Sequence, residues 1–281
     1  MGRWTAAGAA VRGRRYRSIP LRALANLSIA AAILVLAAAP AGAAPEPRTV
    51  EQTFDNGLKL ITHVDRRAPI VVAQIWYRVG SSYEPTGLTG VSHALEHMMF
   101  KGTPRHGPGE FSRLIAERGG SENAFTGADY TAYFQTLERS HLRLALELEA
   151  DRMRNLLLDP AEFAREIRVV MEERRLRTED DPQAYAYEAA RATAFAVSPY
   201  RQPVIGWMAD LERLTVADLR AWYERWYTPA NAVLVVAGDI DPDAVAAAVR
   251  AAFGALDGAA PPAAPGSAEP AQRGPKRAVL A

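Results

Sequence analysis

An α+β fold, with a mixed and largely antiparallel sheet covered by helices, is predicted by three features of the chain. Two strand-like runs, 49–54 and 58–64, flank Asp55-Asn56-Gly57, a strong signal for a tight hairpin. A second close pair of such runs occupies 122–126 and 130–137. Long stretches of helical periodicity follow, interrupted only by a short apolar run at 232–237 that Gly238-Asp239 closes.

In chain order, the 49–54 and 58–64 hairpin is followed by a third strand at 70–79, rich in β-branched and aromatic residues and ended by Gly80. A helix carries 91–99, and another is expected near 109–117. After the second strand pair, helices are predicted over 139–157, 160–177 and 183–196. Thr215 and Asp218 mark the start of a further helix running to 226. The apolar strand at 232–237 and a last helix at 241–253 complete the folded part.

The first 43 residues differ in kind. They hold Arg3, Arg12, Arg14, Arg15, Arg17 and Arg22 with no acidic residue, then an apolar run from about residue 24 to 39, then Ala41-Gly42-Ala43. That order describes a secretory signal cleaved near Ala43. Tyr16-Arg17-Ser18 is a poor continuation of a twin-arginine site, so ordinary export is preferred. An uncleaved membrane anchor is the alternative, although the apolar run is short for a span. The full chain carries 33 basic and 32 acidic residues. Losing those arginines leaves the mature chain net acidic, which removes the electrostatic basis for nucleic-acid binding. There is no cysteine, hence no disulfide framework.

The segment at 91–103, V-S-H-A-L-E-H-M-M-F-K-G-T, contains an H-x-x-E-H pattern in His93, Glu96 and His97. On a helix the two histidines sit one turn apart on one face, with Glu96 about 60° from His93. Leu95, Met98 and Met99 form the apolar back of the same helix. Neutral imidazoles suit zinc, and a catalytic zinc site keeps three protein ligands with one open position, so one ligand must come from elsewhere. Glu96 remains available as a general base toward a metal-activated water. His63, His106 and His141 lack a partner at ligand spacing and read as surface or packing residues. Trp207, Trp222, Trp226, Tyr223 and Tyr227 read as core aromatics.

The missing ligand is sought on the helix at 160–177. At about 100° per residue, Glu166 and Glu173 fall about 20° apart at the border of its apolar face, while Glu172 points away. Carboxylates so placed need a cation or donors. Geometry alone fits a metal and a ligating histidine, and equally fits edge acids paired with Arg165, Arg168 or Arg177.

The stretch G-V-S-H-A-L-E-H-M-M-F-K-G-T resembles the signature of the inverted-motif zinc metallopeptidases, the superfamily of pitrilysin, insulin-degrading enzyme and mitochondrial processing peptidase. The likeness continues through S-E-N-A-F-T-G-A-D-Y-T-A-Y (121–133), A-D-R-M (150–153), V-V-M-E-E-R-R (169–175), P-Y-R-Q-P-V-I-G (199–206) and Y-T-P-A-N-A-V-L-V-V-A-G-D (227–239), spanning residues 48–257. It implies one zinc ion per chain held by His93, His97 and Glu173, with Glu96 as catalytic base. Glu166 takes the place of the family's additional glutamate, supporting a metal-ligating histidine. The family's N-A-x-T strand implies that Asn123 and Ala124 hold an extended peptide or unfolded protein substrate by strand addition.

Residues 258–275 are rich in Ala, Pro and Gly and read as a linker or flexible tail, and 276–281 resembles the start of another strand. The resemblance implies a second lobe of similar size beyond it, or a homologous partner chain. The chain thus divides into a signal at 1–43, a metallopeptidase lobe at 44–257 and a linker at 258–281. It is read as an exported, periplasmic or secreted, bacterial zinc endopeptidase with no stable membrane span after signal cleavage. The rival is a catalytically weak or inactive peptide-binding or assembly subunit that needs a partner lobe. A zinc hydrolase acting on something other than peptide is disfavoured by the N-A-F-T strand.

Overall fold

In the computed structural model, residues 48–261, 263, 266 and 268–280 are described. The signal expected at residues 1–43 lies outside them. The Asp55–Gly57 turn forms as expected, with Gly57 at φ 84° and Asn56 Oδ1 accepting from the Leu58 amide at 3.2 Å. It joins β1 (Thr49–Thr53) to β2 (Lys59–Val64). β3 (Ile70–Tyr77), β4 (Ser121–Thr126), β5 (Thr131–Glu138) and β6 (Ala232–Gly238) complete a six-stranded sheet in the order β1-β2-β6-β3-β5-β4. Only the β2–β6 pairing is parallel; the other four are antiparallel. The α+β class with a mixed, largely antiparallel sheet is therefore observed.

The pleat separates two unlike faces. Val71, Ala73, Ile75 and Tyr77 of β3, Tyr133 and Leu137 of β5 and Leu234 and Val236 of β6 are buried beneath helices. The opposite face is half-exposed and carries an edge-to-face aromatic group, Trp76 with Phe125 and Tyr130, both at 5.3 Å. α1 (Val91–Met98) and α2 (Glu110–Ala116) precede the β4–β5 hairpin and pack on β4. α3 (Leu142–Asn155) lies against β3 and β5, and α4 (Pro160–Arg174) lies against α1. A π turn over Arg175–Glu179 leads from α4 to α5 (Pro182–Ala194). The short α6 (Met208–Leu211), with no counterpart in the sequence reading, precedes α7 (Val216–Trp226) and α8 (Pro242–Phe253).

Local chemistry accounts for the helix starts. Asp159, Asp181 and Asp241 each accept backbone N–H groups at the head of a helix whose first turn carries proline. Thr215 and Asp218 form the reciprocal capping box that their spacing predicts. Trp222, Tyr223, Trp226 and Tyr227 are buried, as expected of core aromatics, whereas Trp207 is half-buried.

The strand expected to begin at Lys276 is not formed among the described residues. Residues 276–280 pair with no strand. Polar anchors hold the segment instead: Glu269 accepts from the amides of Ala196, Val197 and Ser198, and Lys276 Nζ donates to the Ala194 carbonyl at 2.6 Å. Lys276 thus serves a carbonyl at the C-terminal end of α5, and Glu269 serves amides of the segment that follows it.

Candidate metal centre

α1 begins at Gly90, with φ 87°, and so has no side-chain cap of its own. Glu84 supplies one from outside, accepting from the Gly90 amide at 2.7 Å and the Ser92 amide at 2.8 Å. Burial pushes the Glu84 carboxyl up to about 7 despite those two bonds. Leu95 and Met98 are fully buried and Met99 nearly so, which clamps the helix by its apolar back. Its other face then presents His93, Glu96 and His97 to a cleft of about 800 Å³.

α4 brings the second carboxylate to this face. Glu173 Oε2 lies 3.3 Å from His97 Nε2 and 3.8 Å from His93 Nε2. The three ligand atoms all lie within 4.8 Å of one another. Around a tetrahedral ion with bonds of about 2.1 Å, ligand atoms stand about 3.4 Å apart, a spacing close to the two Glu173–histidine separations, so the set can close around one zinc-sized ion. Burial, then the neighbouring His97, pushes the His93 imidazole down to about 3, leaving it neutral as ligation requires. Donor set and spacing thus suit zinc.

The arrangement around these atoms is asymmetric. Glu166 Oε1 accepts from His97 Nδ1 at 2.9 Å, which fixes the tautomer that turns Nε2 toward Glu173. Lys101 Nζ binds the other Glu166 oxygen at 2.5 Å. His93 Nδ1 is buried with no partner among the described residues. Arg177 pairs with Glu173 Oε1 at 2.8 Å, so part of the edge-pairing alternative is present together with the histidine contacts. Arg165 turns instead to Glu162, and Arg168 to the Ala164 carbonyl. Glu172 points away and pairs with Arg175.

Glu96 is 9 % exposed, and its Oε2 accepts from Thr126 Oγ1 at 2.5 Å. Burial raises its carboxyl above the ordinary range. Thr126 belongs to β4, which among the described residues is an edge strand bonded only to β5. Asn123 and Ala124 lie on the same strand along the cleft. The Ala124 amide donates to Asn123 Oδ1 at 2.9 Å, a bond that a strand added at this edge would replace. His63 bonds Thr49 and His106 sits beside Glu110, both apart from the centre.

Sequence reasoning missed Glu84, Lys101, the contact of Thr126 and the group under the motif helix. In that group the fully buried Arg152 binds Glu149, which accepts from Gln135. Its guanidinium lies 4.3 Å from the Tyr133 ring centre, 4.4 Å from that of Phe111 and 5.4 Å from that of Phe100. A helix opening on glycine with no capping side chain was the one signal that could have pointed to Glu84.

The far wall of the cleft comes from α5, the π turn and residues 199–206. Gly206 allows this last loop to cross the head of α1. Its φ is 87°, and a Cβ there would meet the Thr89 carbonyl oxygen at 2.5 Å and Gly90 Cα at 2.7 Å.

Residues 59–206 match the family model described as insulinase, peptidase family M16, and residues 213–280 match the one described as peptidase M16 inactive domain. The zinc protease PqqE of Helicobacter pylori is 35% identical over 200 residues, covering 71% of this chain and 45% of the relative. An uncharacterized zinc protease of Streptomyces coelicolor is 33% identical over 201 residues, covering 72% and 44%. The chain therefore spans about half the length of the curated relatives it matches. Among solved structures, a protease from Helicobacter pylori superposes with a TM-score of 0.78 at 34% identity, covering 82% of this chain and 56% of that one. The periplasmic protease PqqL of Escherichia coli gives 0.71 at 26%, covering 80% and 25%. With one family model covering more than half of its residues and a shared lobe architecture, this chain belongs to the insulinase family of peptidases, M16.

Proposed function

We propose that the chain is a zinc-dependent endopeptidase lobe that hydrolyses peptides or extended protein segments. The observation that carries this reading is the convergence of His93, His97 and Glu173 beside Glu96 at the foot of an open sheet edge. Those three residues would hold a zinc ion, whose positive charge would acidify water and polarise a carbonyl. The chain's own groups do the rest. Glu96 takes the proton of the attacking water and passes it to the leaving amine. Thr126 occupies one oxygen of Glu96 and leaves the other for this exchange. Glu166 orients His97 through Nδ1. Asn123 and Ala124 hold the substrate backbone as an added strand, so recognition is largely independent of side-chain identity at that wall.

Residues 44–257 make up this lobe in the proposal, and 258–281 lead toward a second lobe or a partner chain. The length of the relatives supports that division. Export follows from the arginine-rich and apolar character of residues 1–43. No helix among the described residues is long and apolar enough to cross a membrane.

Glu96→Gln tests the proposal. Zinc content is expected to stay at one ion per chain, while hydrolysis of an unstructured peptide falls by about 10²- to 10⁴-fold. Undiminished cleavage would remove Glu96 from the role of base. The match of residues 213–280 to a domain described as inactive favours testing the rival as well. A chain that loads zinc and binds peptide but cleaves none would be a subunit requiring a partner lobe.

A further inference from the structure

The two walls of the cleft differ in charge. On the zinc side, Glu96 is bonded to Thr126 and Glu173 to the histidines and Arg177. On the far wall the acid is already spent. Glu188 receives Arg174 through both oxygens, each at 2.9 Å, in a bidentate pair with little exposure.

Arg191 of α5 and Arg201 of the 199–206 loop line the same cleft. Arg191 donates to the Tyr200 carbonyl and Arg201 to the Ala196 carbonyl, the latter at 3.2 Å. Neither pairs with a carboxylate among the described residues. A neutral carbonyl orients a guanidinium without cancelling its charge, and each arginine retains unused donors after that one bond. Arg177 adds a third cation at the junction of the two walls, 76% exposed. Between the arginines stand apolar surfaces that suit an extended chain: Tyr187, 65% exposed with Arg191 5.8 Å from its ring centre, and Val169, 51% exposed.

We infer that this wall is a carboxylate-recognising subsite, with Arg191 and Arg201 selecting peptides that carry a carboxylate on one side of the scissile bond. The inference rests on the peptidase reading of the cleft and gives it a substrate class. A planar guanidinium held by one backbone carbonyl still offers a fork that matches a carboxylate. The positive wall is local, because the chain without its first 43 residues is net acidic. Strand addition at β4 reads backbone and leaves side chains to alternate outward. Selection in this cleft therefore has to come from the opposite wall. Two sources share the required chemistry: an Asp or Glu side chain and the α-carboxylate of a chain end.

The test uses the full chain and a matched peptide set carrying Glu, Gln or Lys at one position, each with a free or an amidated C-terminus. Hydrolysis is read as kcat/KM on the zinc-loaded protein, and binding by fluorescence anisotropy on Glu96→Gln. The Glu peptide is expected to be preferred over its Gln isostere by about tenfold at low salt, from about threefold per partly exposed arginine. The preference should weaken at high ionic strength. Arg191→Gln and Arg201→Gln should each remove about threefold of it, with melting temperature monitored to show that folding is unchanged. A Glu preference that persists on amidation assigns the subsite to an acidic side chain; binding that is alike for Glu, Gln and Lys but falls on amidation assigns it to the chain end. Equal binding of Glu, Gln and Lys peptides in both terminal forms overturns the inference. Absence of hydrolysis with the charge preference intact in binding would instead remove the peptidase reading and leave the subsite standing.

Discussion

Removing the carboxylate of Glu166 isolates the contribution of a residue that touches a proposed ligand without being one. Its Oε1 accepts from His97 Nδ1 at 2.9 Å, and its Oε2 from Lys101 Nζ at 2.5 Å, with the side chain 13% exposed. Burial works against its charge, but the bonds from Lys101 and His97 outweigh burial and hold the carboxyl below its ordinary range. The ionised group makes His97 a more basic ligand and locks the ring orientation. Glu166→Gln preserves an acceptor and the shape but not the charge, and zinc affinity is expected to fall about tenfold; Glu166→Ala also frees the ring and strands Lys101 beside it, for about a hundredfold. Those factors correspond to about 1.4 and 2.7 kcal/mol. The assay is a competition titration of metal-stripped full chain against a chromophoric zinc chelator at neutral pH, with circular dichroism to verify folding. If Glu166→Ala bound zinc within about twofold of the parent, the role assigned to the His97–Glu166 bond would be wrong.

Three further outcomes are expected. Glu84 is raised from 4.5 to about 7 in the folded chain; the folded state therefore holds the extra proton between those values, and stability falls as pH rises through that window, on the order of 3 kcal/mol. Glu84→Gln mimics the protonated carboxyl, so denaturant titrations of the metal-free protein should show it near the parent's stability below pH 4.5 and gaining on the parent toward pH 8. A variant that lost ground to the parent as pH rose would reverse the sign assigned to Glu84. Arg152→Met leaves Glu149 buried without its cation and should cost about 3–5 kcal/mol in chemical denaturation, whereas Arg152→Met with Glu149→Leu should recover part of it. A double variant no better than the single one would show that Gln135 and the aromatic rings, not the charge, set the cost. Gly206→Ala forces a side chain against the Thr89 carbonyl and into left-handed backbone. It should displace the far wall and raise KM for peptide more than it lowers kcat, and unchanged KM would disconnect that loop from substrate.

Most individual elements were legible because their signals are local. Asn56-Gly57, the capping pair Thr215 and Asp218, and the prolines heading α4 and α8 act within a few residues, so spacing suffices. The proposed metal face was readable for the same reason: the positions of His93 and His97 within one helix, and of Glu166 and Glu173 within another, follow from helical pitch. That the two helices meet is non-local, and resemblance, not pitch, singled out Glu173. Sheet order was equally out of reach, although β6 carried a clue. Its run A-V-L-V-V-A-G has no polar alternation, in keeping with an interior strand, and it sits between β2 and β3, although only one of its faces is fully buried.

The groups that sequence left unseen all complete a partner distant in the chain. Glu84 supplies the cap that Gly90 cannot, Thr126 binds Glu96 across from β4, and Arg152 packs its guanidinium among rings from α2, β5 and the end of the motif helix. Each answers a deficit that is itself local: an uncapped helix, a buried carboxylate, a charge on an otherwise buried helix face. A deficit can be read from spacing, but its remedy depends on which segment the fold brings within about 3 Å. The same asymmetry governs the cleft. Its zinc side is specified by residues a few positions apart on two helices, while its far wall joins α5, a π turn and the 199–206 loop, whose arginines acquire a common direction only when folded. The proposed reaction class thus rests on short-range pattern, and the inferred selectivity on long-range assembly, which is why substitutions at Arg191 and Arg201 should alter what is bound without altering whether zinc is held.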